Sequence, residues 1–184
     1  MPAETFKNLT DEDLLNLIAE GNRQAFNMFI SNNIKKATTF CYGSLNYPTK
    51  DVCEDLTQNL FLKIWINAKK YNSKKAKAST WFYTILRNEC INYNKQNKNF
   101  YELNEDFHET KNGFENDALK KQLRKFVHNL PEKQKTAIIL FYFQGHSQKE
   151  CAGIMKLKEK AFESTLIRAK KNLQNSIKLK EALQ

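Results

Sequence analysis

The sequence predicts an all-α protein of two small helical domains joined by an acidic linker. Its 184 residues include only five Gly and three Pro, and 41% of them are apolar. A β-rich fold would need more turn-forming residues than this composition supplies. Apolar residues recur at helical spacing along most of the chain, with one acidic interruption. We therefore expect a first domain at 1–98, a linker at 99–117 and a second domain at 118–184.

The first domain is predicted to begin with a short helix. Thr10 can cap this helix, and the acids Asp11, Glu12 and Asp13 suit its first turn, where the helix dipole favours negative charge. A second helix is expected from Arg23 to about Cys41, because apolar residues follow at helical spacing.

The third helix, expected from Asp51 to about Ala68, has more apolar surface than one buried face needs. The surplus side chains, partly off its main apolar stripe, are Phe61, Leu62, Trp65 and Ile66. Such a surplus serves either as the core of a helical bundle or as a docking surface for another protein. Periodicity alone does not choose between these two uses.

A lysine-rich loop at 69–78 separates the third helix from a fourth. We expect the fourth helix to begin at Ser79 or Thr80, with one of these hydroxyls as its cap, and to end near Tyr93. From Phe61 to Lys98 the chain has nine basic residues and one acid. One sign of charge interleaved with aromatic rings suits phosphates and exposed bases, whereas a solvated helix face mixes both signs. Nucleic acid is the expected partner of this segment.

The second domain is predicted to contain a helix-turn-helix. Ser147 and Glu150 form the pattern of a capping box at the start of a short helix. A tight turn at 156–158 leads to a final helix from Glu159 to about Ile177, and residues 156–180 include eight bases and two acids. Two helices joined by a short turn, with a basic second helix, are typical of DNA-binding proteins.

Membrane, metal and enzyme classes find no support. No apolar run approaches the ~20 residues that cross a membrane, and the N-terminus lacks signal-peptide features, so we expect a cytoplasmic protein without membrane insertion. The four cysteines form no C-x-x-C pair, and the three histidines show no metal-ligand spacing. We expect no metal, no cofactor and no catalytic residue, because nucleotide-binding loops and paired catalytic carboxylates are missing from the sequence.

Both halves of the chain resemble the extracytoplasmic-function (ECF) sigma factors. The segments that resemble region 2 of this family are DLTQNLFLKIW at 55–65, KYN at 70–72 and STWFYTILRN at 79–88. Their region 4 is resembled by LPEKQK at 130–135, GHSQKECA at 145–152 and LIRAKKNL at 166–173. The resemblance covers nearly the whole chain in the family's order. It implies an RNA polymerase specificity subunit that binds core polymerase, recognises promoter elements near −10 and −35, and opens the duplex.

The resemblance gives the first domain two binding tasks. It places the third helix on the clamp helices of the polymerase β′ subunit, through Asp55, Gln58, Asn59, Phe61, Leu62 and Trp65. It places an unstacked base of the −10 element against Tyr71, Lys74, Lys75, Lys77, Arg87 and Asn88. Base capture needs an aromatic or apolar wall, and lysine–phosphate contacts help offset the cost of unstacking. Trp81 lies on the same line along the fourth helix as Ile85, so we expect it to pack in the core and not to contact the unstacked base.

The resemblance also implies that the final helix enters the major groove at −35. The residues implied in that contact are Ser147, Lys160, Ser164, Thr165, Arg168 and Lys171. The chain departs from the family at Glu163 and Thr165, where basic residues are usual, and at Lys156, where a glycine is common. A glutamate accepts a hydrogen bond from cytosine but repels phosphate, so we expect an unusual −35 preference. Lys156 is tolerable if its φ is not positive.

Further partners follow from the resemblance alone. They are the polymerase β subunit, promoter DNA and an anti-sigma factor that covers the polymerase and DNA surfaces, and the free protein is expected to be a monomer. The acidic linker would either thread the positively charged interior of polymerase or act as a solvated tether. Two rival hypotheses are a helix-turn-helix regulator that never binds polymerase, which leaves the basic loop unused, and a nucleic-acid-processing enzyme, which lacks its motifs.

Overall fold

The computed structural model describes residues 9–97 and 125–181, with side chains described as far as 178. Its helices are α1 (Asp11–Ala19), α2 (Arg23–Ser44), α3 (Lys50–Asn67), α4 (Ala78–Gln96), α5 (Glu132–Ile138), α6 (Gln148–Met155) and α7 (Glu159–Glu181). A 3-10 turn, Ala68–Lys70, extends α3, and a π-helical turn, Ile139–Phe143, extends α5. No strand occurs among these residues. The all-α prediction is confirmed, whereas the predicted linker at 99–117 lies outside the described residues.

Two helices begin at the caps that the sequence predicts. Thr10 accepts a hydrogen bond from the N–H of Asp13, and the Asp13 carboxylate accepts one from the N–H of Thr10. Ser147 and Glu150 form the same reciprocal pair at the start of α6. Each capping box satisfies backbone N–H groups that have no partner within the helix. Both predictions are confirmed because the motif needs only residues three positions apart.

The predicted start of α4 is wrong. The helix begins at Ala78, before Ser79 and Thr80, and the capping position belongs to Lys77, whose side chain makes no capping hydrogen bond. The N–H of Ala78 instead donates to a carboxylate oxygen of Glu12, at 2.8 Å. Glu12 of α1 therefore caps α4, in place of the Ser79 or Thr80 hydroxyl that the local sequence predicts.

Aromatic rings fill the core of the first half. Phe29 of α2 lies edge-on to Phe61 of α3 and Phe82 of α4, with ring centroids 6.5 and 6.0 Å apart. Phe40 lies edge-on to Tyr83 at 5.5 Å. Edge-to-face rings at these distances attract each other beyond the gain from burial alone. Phe61, one of the surplus side chains of α3, is thus a core residue, only 5% exposed.

The second half is built around the inner face of α7. Phe162, Leu166 and Ala169 are buried. Lys156 ends α6 in the left-handed conformation, with φ 54° and ψ 44°. A lysine in place of the family's common glycine is tolerable here only if its φ is not positive, and this condition is not met. A side chain in this region costs roughly 1 kcal/mol more than glycine does. The N–H of Lys156 closes the turn on the carbonyls of Ala152 and Gly153.

The two halves pack against each other through α2 and α4. Their buried apolar side chains form one contiguous cluster. A Cβ atom added to Gly43 of α2 would lie 3.2 Å from Cδ1 of Ile139, and one added to Gly153 of α6 would lie 3.4 Å from Cγ2 of Thr80. These glycines allow helices of the two halves to approach closely. Surfaces predicted to bind DNA are therefore partly covered by the chain itself.

Candidate protein and nucleic-acid interfaces

A groove with a volume of about 740 Å³ runs between α2 and α3. Phe26 and Trp65 contact each other in it as a tilted pair with ring centroids 5.0 Å apart, and Phe61 and Leu62 also line it. The charged residues at its walls are Arg23 and Glu54. An open apolar groove with few charges suits an amphipathic helix of another protein better than it suits a nucleic acid.

The six residues predicted to contact polymerase divide between this groove and the surface beside it. Gln58, Phe61, Leu62 and Trp65 line the groove. Asp55 and Asn59 are exposed on α3. Leu62 is 55% exposed, Trp65 is half-buried against Phe26, and Phe61 forms the floor. The surplus apolar surface of α3 is therefore divided: Phe61 belongs to the core, and Leu62 is exposed.

The basic loop between α3 and α4 presents its lysines to solvent. Lys74, Lys75 and Lys77 are exposed. Asn72 shapes the loop, because its side-chain oxygen accepts from the N–H of Lys74 at 2.9 Å and its carbonyl accepts from the N–H of Lys75. Tyr71 precedes this turn and is half-buried. The loop therefore places exposed positive charges near an aromatic ring, as the sequence predicts.

Tyr71 and Trp81 form an aromatic pair at the edge of the core, with ring centroids 5.5 Å apart. The Tyr71 hydroxyl is buried and has no hydrogen-bond partner among the described residues. Burial raises the pKa of Tyr71, and the negative charge of Glu12 raises it further. Trp81 is half-buried and packs against the core, in agreement with an anchoring role.

Arg87 and Asn88, the remaining predicted −10 residues, are half-buried on α4. The Nε atom of Arg87 is buried without a hydrogen-bond partner in the described chain. Burial lowers the pKa of the Arg87 guanidinium, and the charge of Glu132 on α5 opposes this effect. Arg87 therefore faces the second half in this arrangement and does not lie free on the surface.

Polar contacts tie α4 and its preceding loop to the helix-turn-helix. The ammonium of Lys77 donates to Glu150 at 2.9 Å. The Tyr83 hydroxyl donates to Gln144 at 2.6 Å, and its ring lies edge-on to His146 at 4.6 Å. Burial lowers the pKa of His146 and raises that of Tyr83. A neutral imidazole and a neutral phenol therefore face each other at this contact.

A buried lysine lies in the same contact between the halves. Lys135 of α5 is only 2% exposed, and its ammonium donates to the side-chain oxygen of Asn46 at 2.9 Å. Burial lowers the pKa of Lys135 to about 8, with opposing contributions from Glu132 and Cys90. Its hydrogen-bond acceptor is a neutral amide, so the positive charge is only partly compensated.

The exposed face of α7 carries most of the residues predicted for the −35 contact. Those exposed are Lys160, Ser164, Arg168 and Lys171, and Ser147 is exposed at the start of α6. Thr165 differs: it is 8% exposed, and its hydroxyl donates to the carbonyl of Ala161 at 2.8 Å. The Thr165 side chain therefore faces the interior of the domain, and we do not include it in the DNA contact proposed below.

The sequence alone does not predict the positions of three residues at these surfaces and contacts. Ile167 is 60% exposed amid the polar face of α7. Glu12 caps a helix 66 residues later in the chain, and Lys135 is buried although it belongs to a polar segment. For Ile167, the one signal in the sequence is an isoleucine directly before Arg168 in a basic helix.

Neither a metal cluster nor a membrane span is found in the part of the chain that the structure describes. Residues 9–97 and 125–178 bring together no group of three His, Cys, Asp or Glu side chains that could hold a metal ion. No described helix is long and apolar enough to cross a bilayer. The four cysteines are buried thiols, and burial raises the pKa of Cys53 and Cys151.

The fold and these surfaces are those of a helical transcription factor, with one open apolar groove and two exposed basic elements. Comparison with known families gives its kind. The family model "Sigma-70 region 2" matches residues 29–100, and "Sigma-70, region 4" matches residues 120–173. The chain therefore belongs to the sigma-70 family and is an RNA polymerase sigma factor.

Curated relatives agree with this assignment. The ECF RNA polymerase sigma-E factor of Haemophilus influenzae is 29% identical, over 93% of this chain and 97% of that protein. The ECF sigma factor SigM of Bacillus subtilis is 29% identical, over 72% of this chain and 85% of its own. Sigma factors bind core polymerase and promoter DNA, so a regulator that never engages polymerase is not favoured.

Solved structures show the same fold. CnrH, solved in complex with the cytosolic domain of CnrY, superposes with a TM-score of 0.71 and 19% identity, over 92% of this chain and 97% of that chain. RpoE of Bartonella quintana, solved with the anti-sigma factor NepR, has a TM-score of 0.59 and 24% identity, over 82% of this chain and 96% of that chain.

Proposed function

We propose that this sigma factor binds core polymerase through the α2–α3 groove, captures −10 bases with the loop and helix at 71–88, and reads a −35 element with α7. The observation that carries the proposal is the separation of apolar and basic surfaces. The groove is lined by apolar and neutral side chains with one base and one acid. The lysines lie exposed on the loop and on α7. One surface is suited to protein and two are suited to phosphates.

The groove contact assigned to the β′ clamp helices rests on Gln58, Leu62 and Trp65, with Asp55 and Asn59 on its rim. Leu62 and Trp65 supply apolar area, while the polar residues fix the register of an incoming helix. Phe61 takes part as the floor that holds Phe26 and Trp65 in place. Its substitution would disturb the core as well as the groove.

The −10 contact assigned to Tyr71, Lys74, Lys75 and Lys77 uses the loop as it stands. The Tyr71 ring offers one face of a base pocket, and the lysines offer contacts to the backbone of a melted strand. Arg87 and Asn88 would join only after the second half leaves α4. Promoter binding therefore goes with separation of the two halves, which also frees Lys77 from Glu150.

The −35 contact assigned to α7 combines phosphate contacts with base reading. Lys160, Arg168 and Lys171 lie on one exposed face, with Ser164 between them. Basic side chains on a recognition helix reach phosphates from its edges, while those near its N-terminus reach base edges. Ser147, at the start of α6, suits a phosphate contact from the first helix of the motif.

The domain limits and partners complete the proposal. Residues 1–98 and 118–184 would act as separate promoter-binding domains, joined by the acidic segment 99–117. CnrH was solved with the cytosolic domain of CnrY, and RpoE with the anti-sigma factor NepR. We expect an anti-sigma factor to cover the groove and α7 of this protein. We expect the free protein to be a cytoplasmic monomer that performs no catalysis of its own and contacts the polymerase β subunit as well as β′.

Run-off transcription tests the proposal. Purified protein is mixed with core polymerase and a promoter library, and polymerase binding is measured separately by fluorescence anisotropy of labelled protein. We expect a stable complex and transcripts from a subset of promoters that share −10 and −35 motifs. The proposal fails if the protein forms no complex with core polymerase or if transcription shows no promoter preference.

A further inference from the structure

Helix α4 begins without a cap from its own sequence. The first N–H groups of a helix need acceptors from outside it, and Lys77, at the capping position, provides none. The N–H of Ala78 finds its acceptor in Glu12, whose carboxylate oxygen lies 2.8 Å away in a partly buried contact. An ionised acceptor is stronger than a neutral one and also complements the helix dipole.

Each of the three acids in the first turn of α1 has its own partner. Asp13 completes the capping box with Thr10, and Asp11 accepts a hydrogen bond from the buried Asn33 of α2 at 3.2 Å. Only Glu12 reaches α4. A general attraction to the dipole of α1 would not require three different contacts, so the position of Glu12 is specific.

Helix α1 is a rigid support for this contact. Leu14 and Leu15 are fully buried, and the capping box holds the first turn. Glu12 therefore joins a fixed element to the residue where the basic loop ends and α4 begins. Its charge is felt by the two groups next to the loop, since it raises the pKa of Tyr71 and contributes, after Glu150, to raising that of Lys77.

We propose that Glu12 is a positioning residue for promoter opening. Its carboxylate fixes the start of α4, and so it holds the Tyr71–Trp81 pair and the loop lysines in the arrangement that receives an unstacked base. The inference rests on the −10 role proposed for that loop. The matched sigma-70 region 2 segment begins at residue 29, so the family assignment gives Glu12 no role.

The test compares Glu12→Ala, Glu12→Gln and Glu20→Ala. Glu12→Ala removes the acceptor, whereas Glu12→Gln keeps an oxygen in place and removes the charge. Glu20→Ala removes a similar charge from the exposed end of the same helix, away from α4. Open-complex formation is measured by permanganate reactivity of −10 thymines, and polymerase binding is measured in parallel.

We expect Glu12→Ala to reduce permanganate reactivity about fivefold, the size of a typical capping effect, with core affinity unchanged. Glu12→Gln should retain most of the reactivity, and Glu20→Ala should match the unmodified protein. The proposal is overturned if Glu12→Ala opens promoters as well as Glu20→Ala does, or if it loses core affinity to the same extent as opening.

A spectroscopic readout tests the positioning without polymerase. In a Trp65→Phe background, Trp81 is the one remaining tryptophan, and its emission reports on packing against Tyr71. We expect Glu12→Ala to shift this emission to the red and Glu12→Gln to leave it unchanged. An unchanged emission in Glu12→Ala would refute the positioning role. Failure of promoter opening in every protein that retains Trp65, with core binding intact and the emission shift present, would instead refute the proposed −10 role of the loop.

Discussion

The carboxylate of Glu150 accepts hydrogen bonds both from Lys77, at 2.9 Å, and from Ser147 within its own capping box. One acid therefore starts the first helix of the helix-turn-helix and also holds the basic loop of the first half. A phosphate would offer Lys77 the same kind of anionic acceptor, so DNA bound at the loop as proposed would compete with Glu150 for this lysine. Loss of the Lys77 contact leaves the capping box intact, so the second half can leave α4 without unfolding α6.

Acid should weaken the fold through Glu150. Hydrogen bonds from Lys77 and then from Ser147 lower the pKa of Glu150 to about 2. Since this pKa lies below that of the unfolded chain, the stabilisation is complete above about pH 4.5 and is lost as the pH falls toward 2. Glu150→Gln should therefore flatten the pH dependence in this window. At neutral pH we expect a loss of about 1 kcal/mol, because solvent screens this partly exposed pair.

Urea unfolding at several pH values provides the measurement. Lys77→Gln serves as the control, because it removes the ion pair and keeps both capping-box hydrogen bonds. Its effect on unfolding should be smaller than that of Glu150→Gln. Identical pH profiles for the unmodified protein and Glu150→Gln would show that the carboxylate makes no net contribution.

Lys135 should also make stability rise with pH, but in the alkaline range and by relief of an unfavourable buried charge. Its pKa in the folded protein, about 8, lies below its ordinary value. Below pH 8 both the folded and the unfolded chain hold the proton, and the folded state bears the full cost of a buried charge. Between about pH 8 and 10.5 the unfolded chain holds more protons, so stability attributable to this group rises with pH.

Lys135→Met tests this effect with a side chain of similar length. At pH 7 we expect the variant to be more stable than the unmodified protein by roughly 1–3 kcal/mol, because a buried and poorly compensated cation is removed. This difference should shrink as the pH rises from 8 to 10. Comparing the two proteins cancels the titration of thiols and phenols that they share. A difference that stays constant over this range would show that Lys135 does not titrate there.

The elements that the sequence predicted correctly depend on short-range patterns. The cap at Thr10 and the capping box at Ser147 depend on residues only three positions apart, and helical spacing was enough to place α2 and α7. The cap of α4 could not be predicted, because Glu12 and Ala78 come together only after α1 packs beside the loop. The predicted hydroxyl cap failed because Ser79 and Thr80 were the nearest candidates in sequence, and a distant carboxylate took the role.

The candidate sites show the same limit. The sequence indicated that α3 has surplus apolar surface but could not separate Phe61 from Leu62. Their different burial depends on Phe29 and Phe82, which lie on two other helices. Thr165 was expected on the DNA-binding face together with its neighbour Ser164. Adjacent residues point in different directions around a helix, and in α7 Thr165 faces inward while Ser164 faces solvent. Helical periodicity gives the angle between two residues of a helix, but which face is buried depends on the neighbouring helices.

Polymerase binding through the groove should depend on Leu62. The change Leu62→Asp places a charge on an apolar wall that a partner helix would cover, so we expect core affinity to fall at least tenfold. Ile66→Asp is a matched control, because Ile66 is 65% exposed on the same helix and does not line the groove. Affinity measured by anisotropy should separate the two variants, while both should unfold at similar urea concentrations. Equal losses in both would place the docking surface elsewhere on α3.

Glu163 and Ile167 should determine the −35 preference. Both are exposed one turn apart on the face of α7 that carries Lys160 and Arg168. A carboxylate accepts a hydrogen bond from the amino group of cytosine, and an apolar side chain contacts the methyl group of thymine. Glu163→Gln should weaken discrimination for cytosine, and Ile167→Ala should weaken discrimination for thymine, each by about tenfold or less at one position.

Selection of −35 sequences from a randomised duplex library, read for each variant in complex with core polymerase, measures these preferences separately from affinity. Removing the negative charge of Glu163 should also strengthen binding to all sites, because the carboxylate repels phosphates. The informative quantity is therefore the ratio between sites at constant salt. If Glu163→Gln raises affinity uniformly and leaves every ratio unchanged, the carboxylate acts on the DNA backbone alone and reads no base.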